Sequence, residues 1–186
     1  MLKPYPKPFS FDWFTGLVFD WYSLYSVSVV CPPNSEQHAF PIVVGNSYEE
    51  LFSTYSNILG NQLKGFGVLN YVSSHDDGSP FDKERTKPFE SATKLLLCPG
   101  ASQVYYGDES ARSLIIEGTV GDATLRSFMN WDEITNNEAT KALLLHYQKL
   151  GKFRVNHPSV GAGNHKMISE NPYVFQRTFS KENYTD

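Results

Sequence analysis

Gly67-Val68-Leu69-Asn70-Tyr71-Val72-Ser73-Ser74-His75-Asp76-Asp77-Gly78 is the stretch on which the reading of this chain turns. From Phe66 to Val72 it is a continuous apolar run without alternation, closed by polar and acidic residues. A run that does not alternate fits a strand covered on both faces, as in a parallel sheet. The pattern returns at Gln103-Val104-Tyr105-Tyr106, followed by Gly107-Asp108-Glu109, and Val104 lies 32 positions after Val72. Between the two runs the spacing predicts a helix over Pro88 to Leu97, stopped by Pro99-Gly100. Strand, acidic end, helix, strand, acidic end describes one side of a parallel α/β site, because side chains at the carboxyl ends of such strands converge where these folds bind and react.

The pattern extends in both directions. Upstream, Ser47 and Glu50 form a capping box that opens a helix with Tyr48, Leu51, Phe52, Tyr55, Ile58 and Leu59 on one face and Gly60 at its end. Phe40 to Val44 is a brief strand candidate. Residues 1–36, Pro-rich at both ends and β-prone from Tyr25 to Val30, show no amphipathic helix and no clear strand alternation, and stay unassigned. Downstream, an irregular segment holds Gly118 and Gly121, and Thr135 with Glu138 forms a second capping box. The helix it opens carries Ala139, Ala142, Leu143, Leu145, Tyr147 and Leu150 and is expected to end at Gly151. His165 to Ser169 and Tyr173 to Phe179, around Glu170-Asn171-Pro172, read as a hairpin. The change from βα units to a hairpin sets a boundary near Pro158, which divides the chain into 1–36, 37–158 and 159–186.

Composition narrows the function classes. Of 186 residues 40% are hydrophobic, which supports a packed core, and 15% are aromatic, which suits a dense interior or stacking on flat ligands. The net charge of −4 comes with no basic run, so no nucleic-acid partner is expected. The stretch from Phe9 to Val30 is apolar and follows Lys3 and Lys7, but Asp12 and Asp20 interrupt it and no small-residue cleavage site follows. Neither an export signal nor a membrane span is expected from it, and the compartment is left open. Cys31 and Cys98 lack metal spacing, and Cys98 behind Leu95-Leu96-Leu97 reads as a buried, inert thiol.

Several residues are candidates for chemistry. Asp77-Gly78 reads as a loop turn. His75 and Asp76 sit closer to the strand end, where an imidazole and a carboxylate hydrogen-bond vicinal hydroxyls and the carboxylate favours developing positive charge. A metal set of His75, Asp76, Asp108 and Glu109 is the rival, but it lacks a second histidine at ligand spacing, so no metal site is assigned. Glu109 is expected to fix an arginine or a backbone N–H rather than react. Arg126 and Trp131 lie on a loop that either faces a ligand or packs as a lid. His38, His146, His157 and His165 have no partners at telling spacing and read as structural.

With these residues in view, the chain resembles the α-amylase family, glycoside hydrolase family 13. Gly67 to Asp76 is similar to the seventh-strand motif F-x-x-N-H-D. Pro99-Gly100-Ala101-Ser102-Gln103-Val104-Tyr105-Tyr106-Gly107-Asp108-Glu109 is similar to the eighth-strand motif P-G-x-P-x-x-Y-Y-G-x-E. Arg126-Ser127-Phe128-Met129-Asn130-Trp131-Asp132 resembles R-x-P-M-Q-W-D. The resemblance implies a partial (β/α)8 barrel, its last strands and helices over 37–158, followed by the start of an antiparallel β domain. It implies retaining cleavage or transfer of α-glucosidic linkages in starch-like glucans. Asp76 would be the transition-state stabiliser, His75 and Asp76 would bind the sugar, and Asp108, Glu109 and Arg126 would support the site. It implies no cofactor for this chain; calcium belongs to full-length members and has no place among these residues, and full-length members are often exported.

The chain departs from the family's motifs at Ser74 for Asn, Ser102 for Pro, and Phe128 and Asn130 for Pro and Gln. A larger departure concerns the reactive pair. A retaining glycosidase uses two carboxyl groups roughly 5–5.5 Å apart, and the family takes them from earlier strands, one in G-x-R-x-D. No such motif precedes Gly65, and the first arginine is Arg85. The expectation is a fragment without nucleophile and acid/base, inactive alone, and prone to aggregate or fold only in part because half a barrel leaves strand edges open. The alternatives are a non-catalytic amylase-like binding or structural module and a metal-dependent barrel hydrolase.

Overall fold

The structure, a computed structural model, describes residues 17–18, 26–30, 48–61, 67–76 and 80–186. The strand candidate Phe40 to Val44 and the capping residue Ser47 lie outside the described residues, as does most of 1–36.

In chain order the elements are β1 (Leu17–Val18), β2 (Ser26–Val30), α1 (Tyr48–Gly60), β3 (Gly67–Tyr71), α2 (Pro88–Leu97), β4 (Ala101–Ser102), α3 (Trp131–Asn136), α4 (Glu138–Asn156), α5 (Ser159–Ala162), β5 (Asn164–Ser169), β6 (Val174–Thr178), β7 (Ser180–Lys181) and β8 (Tyr184–Thr185). Two 3-10 turns, Asp108–Ser110 and Gly121–Arg126, lie between β4 and α3.

The decisive stretch folds as a βαβ unit. β3 and β4 pair in parallel, Leu69 opposite Ala101 and Asn70 opposite Ser102, with α2 as the crossover. Asn70 strengthens this short pairing from the side: its Nδ2 donates to the carbonyls of Pro99 at 2.8 Å and Ala101 at 2.9 Å. On the other edge of β3, β2 pairs antiparallel from Ser26 opposite Tyr71 to Val30 opposite Gly67, and β1 continues the sheet beyond it. β2 falls in the β-prone stretch Tyr25 to Val30; only its antiparallel pairing beside β3 is new.

β4 is shorter than expected and starts earlier than Gln103. The Gln103 N–H still donates to the Asn70 carbonyl at 2.8 Å, after which pairing stops. The reason is the turn at Gly107. Its φ of +85° bends the chain back, and the Asp108 N–H closes the turn on the Tyr105 carbonyl at 3.0 Å. Val104 and Tyr106 are therefore 41% and 43% exposed instead of lying inside a sheet.

α2 has the limits expected, with Pro88 in its first turn where a missing N–H costs nothing. It packs on α4 through Ala92 and Leu96 against Leu143 and Tyr147, with Ala111 and Leu150 beside them. α4 differs from expectation at both ends. Asn137, not Thr135, caps it, its Oδ1 accepting from the N–H groups of Ala139 at 2.9 Å and Thr140 at 3.2 Å. Thr135 belongs to α3, where its hydroxyl reaches the Trp131 carbonyl. The helix runs through Gly151 to Asn156, which places Arg154 against the end of α2: its guanidinium donates to the carbonyls of Leu96 and Cys98, each at 2.9 Å, and of Gly100. Arg177 of β6 joins it on the carbonyls of Leu97 and Val160. Two guanidiniums thus satisfy the C-terminal carbonyls of α2 and oppose the negative end of its dipole. Cys98 lies buried between them as a free thiol, and burial pushes its pKa up to about 12.

The predicted hairpin is β5–β6, Asn164 opposite Thr178 through Met167 opposite Phe175. It lies against α1, where Phe52 is fully buried beside His165 and Phe175.

Candidate functional site

Two turns at neighbouring strand ends make the candidate site. After β3 the chain buries Ser73 and Ser74 and then comes to the surface. The side chains of His75 and Asp76 are 59% and 30% exposed. Asp76 is held from within its own turn: the Ser74 hydroxyl donates to Oδ1 at 2.9 Å and accepts from the Asp76 N–H at 3.3 Å. Ser74 replaces the asparagine of the family motif, and its hydroxyl supplies a bond to the carboxylate. The other oxygen, Oδ2, lies 3.5 Å from His75 Nε2. A carboxylate fixed through one oxygen and turned outward with the other beside an imidazole suits a polyhydroxylated ligand. Asp77 and Gly78 lie outside the described residues.

The turn after β4 is arranged oppositely. Asp108 is 1% exposed. Its Oδ1 accepts from the Ser73 hydroxyl at 2.6 Å and from Arg85 Nη2 at 2.7 Å, and its Oδ2 from the Tyr105 N–H at 3.1 Å. Arg85 also donates through Nε to the Arg112 carbonyl at 2.9 Å. Asp108 therefore ties the end of β3 to the end of β4, and Arg85 meets the cost of burying its charge. Glu109 accepts from the Gly107 N–H at 3.0 Å, so it fixes a backbone group, as its position suggests; the arginine pairs with its neighbour.

Arg126 reaches the first turn from a distant loop, its Nε donating to the His75 carbonyl at 3.2 Å. The residue that holds this loop escaped the sequence reading. Arg112 is 1% exposed and donates to the carbonyls of Tyr106 at 2.8 Å, Ser127 at 3.1 Å and Leu125 at 3.2 Å. Its guanidinium carbon lies 3.8 Å from the centroid of the Tyr106 ring. The hydroxyls of Tyr105 and Tyr106 add bonds to the Leu125 and Ser127 carbonyls. The one available signal was a lone Arg following two tyrosines and two acids, which does not say that its partners are carbonyls a dozen residues on. Asn130 is a further tie, exchanging hydrogen bonds with Ser110 at 2.7 and 2.9 Å. Phe128 and Trp131 are 98% and 69% exposed.

The structure thus brings His75, Asp76 and Arg126 together at the surface and sets Asp108 and Glu109 into the frame. Among the described residues no group of three or more His, Cys, Asp or Glu side chains could hold a metal ion. Among them, too, no helix is long and apolar enough to cross a membrane. The histidines that seemed to lack partners have them. His146 meets the Thr93 hydroxyl at 2.9 Å, His157 meets Asp186 at 2.8 Å, and His165 meets Glu49 at 3.1 Å and Tyr173 at 3.0 Å. These contacts join residues 29 to 116 positions apart or cross a hairpin, so local spacing could not reveal them. His38 lies outside the described residues.

No family model matches the chain. In a comparison with curated proteins it is 33% identical over 157 residues to the periplasmic alpha-amylase of Escherichia coli (strain K12), covering 76% of this chain and 22% of that protein. The chain therefore spans about a fifth of the length of the relative it matches. This similarity supports an amylase-related family.

Proposed function

We propose that this chain carries the sugar-holding part of an α-amylase-type site of glycoside hydrolase family 13, acting on the α-glucosidic linkages of starch-like glucans, on the closing strands of a (β/α)8 barrel. The observation that carries the reading is the Asp76 carboxylate, held by Ser74 at the carboxyl end of a strand paired in parallel and presented beside His75 at the surface. The sequence similarity to an amylase supports it.

In this reading His75 and Asp76 grip adjacent hydroxyls of one glucosyl ring. As the glycosidic bond breaks, positive charge builds on the ring, and a fixed carboxylate favours that charge without having to reorganise. Asp76 does not attack the sugar. Attack and proton transfer need two further carboxyl groups roughly 5–5.5 Å apart, and none of the motifs in 1–186 supplies them. Residues 1–186 alone are expected to bind maltooligosaccharide weakly and to release no reducing sugar from starch. Shifts of the His75 and Asp76 resonances on adding maltotetraose, abolished by Asp76→Asn, would support the reading; reducing-sugar release by the purified chain, abolished by the same substitution, would overturn its division of labour. A second reading is a binding or structural module of amylase type, which would use the same outward-facing carboxylate beside His75 without a reactive pair. It separates from the first if a polypeptide supplying the earlier strands restores hydrolysis, which a module without catalysis would not do.

A further inference from the structure

The loop that carries Arg126 ends in an uncovered ring. Phe128 is 98% exposed, while Met129 and Asn130 after it are half-buried. A lone apolar side chain on a loose loop needs no explanation. Phe128 is not on a loose loop. Ser127 before it has its carbonyl held by the Tyr106 hydroxyl at 2.8 Å and by Arg112 Nη1 at 3.1 Å. The Ser127 hydroxyl donates to the Ser113 carbonyl and accepts from Arg112. Two positions after the ring, Asn130 exchanges bonds with Ser110 at 2.7 and 2.9 Å and donates to Glu133 at 2.6 Å. The backbone on both sides of Phe128 is thus fixed to buried residues, and the ring itself is given to solvent.

The same bonds set its direction. Ser127 is extended, with φ −60° and ψ 159°, and turns its hydroxyl inward. The side chains on either side of it, Arg126 and Phe128, are both exposed. Their Cα atoms lie within about 7 Å of each other, two extended residues apart. Arg126 reaches from there to the His75 carbonyl at 3.2 Å. The ring therefore stands next to the arginine that closes on the turn bearing His75 and Asp76.

The surroundings select the kind of ligand. The face of a phenyl ring is the negative side of its quadrupole and attracts C–H groups directed at it. A glucosyl ring offers such C–H groups on its faces and hydroxyls around its edge. The other exposed side chains in 126–133 are Arg126, Trp131, Asp132 and Glu133, three of them charged. Charged groups beside a ring suit a polyhydroxylated ligand, whereas the core of a protein interface is depleted in them.

We propose that Phe128 is a stacking platform for a glucosyl unit further along the glucan whose held unit lies on His75 and Asp76, so that the chain favours longer glucans over short ones. This rests on the sugar-holding role proposed above for His75 and Asp76. Phe128 stands where the family motif has proline, so the platform is a feature of this chain. A ring with two rotatable bonds on a fixed backbone loses little freedom on binding, and its contact shows in affinity.

The test titrates maltose and maltohexaose into the purified chain, into Phe128→Ala and into Phe128→Tyr, following the resonances of His75, Asp76 and the ring at 128. Maltose should shift His75 and Asp76 and leave the ring alone; maltohexaose should shift all three. Phe128→Ala should weaken maltohexaose binding about fivefold or more and leave maltose binding unchanged. Phe128→Tyr keeps the aromatic face and should bind as the wild type does. A side chain this exposed carries no packing, so amide-exchange protection should be equal in all three chains. Shifts at His75 and Asp76 with undiminished maltohexaose affinity in Phe128→Ala would overturn the platform and leave the strand-end reading standing. No shift at His75 or Asp76 with either sugar would overturn that reading and the platform with it. Self-association of the wild type that Phe128→Ala abolishes, with maltohexaose affinity unchanged, would give the ring to a second copy of this chain and overturn the platform.

Discussion

After β3 the chain leaves His75 and Asp76 partly in solvent, and after β4 it buries Asp108 completely. Both turns end a strand in acid, and both lie on one edge of the same parallel pair. They differ in what their carboxylates are bound to. Asp76 has one oxygen held by a serine of its own turn and the other beside an exposed imidazole. Asp108 has both oxygens occupied, by a guanidinium, a hydroxyl and a backbone N–H. A buried carboxylate with both oxygens engaged by protein is part of the fold, and one left partly open is available to a ligand.

That contrast makes a graded set of expectations. Asp108→Ala should do the most damage, because it leaves the nearly buried Arg85 charge without its counter-charge; losses of about 3–5 kcal/mol accompany such a change, seen as lost amide-exchange protection across 67–76 and 101–127. Next is Gly107→Ala. Its φ of +85° disfavours any side chain, and an added Cβ would sit 2.5 Å from the Arg112 Cβ; a cost of roughly 2 kcal/mol or more is expected, read in the same segments with the start of α4 spared. Asn137→Ala removes two capping bonds far from either turn and should cost about 1 kcal/mol, confined to the first turns of α4. Asp76→Asn should change stability by less than about 0.5 kcal/mol. If Asp76→Asn destabilised as much as Asp108→Ala, the distinction between the two turns would fail.

Particular residues show what could be read from sequence and what could not. α2 was legible because proline at its start and proline-glycine after its end act locally. The hairpin was legible for the same reason. β4 was not, because Val104, Tyr105 and Tyr106 have strand chemistry but are used to hold the 125–127 loop: the two tyrosines give their hydroxyls to carbonyls 20 and 21 positions ahead. The N-terminus of α4 was misread because two capping signals, Thr135 and Asn137, compete within three residues, and the short α3 absorbs the first. In the site, His75, Asp76, Asp108, Glu109 and Arg126 were all named in advance from strand ends and motifs. Arg85 and Arg112 were not, because a guanidinium that serves carbonyls and a carboxylate across the chain leaves no periodic trace. His165 read as structural, and the structural contact it makes, with a carboxylate 116 positions away, left no local spacing to read.

On the proposed reading the open carboxylate holds the ligand and the closed one holds the fold. Maltotetraose titrated into the wild-type chain and into Asp76→Asn, with resonance shifts and amide exchange followed together, separates the two roles. Shifts centred on His75 and Asp76 are expected in the wild type, at least about tenfold weaker in Asp76→Asn, with protection across 101–127 the same in both. Undiminished sugar binding by Asp76→Asn, or binding lost only together with that protection, would contradict it.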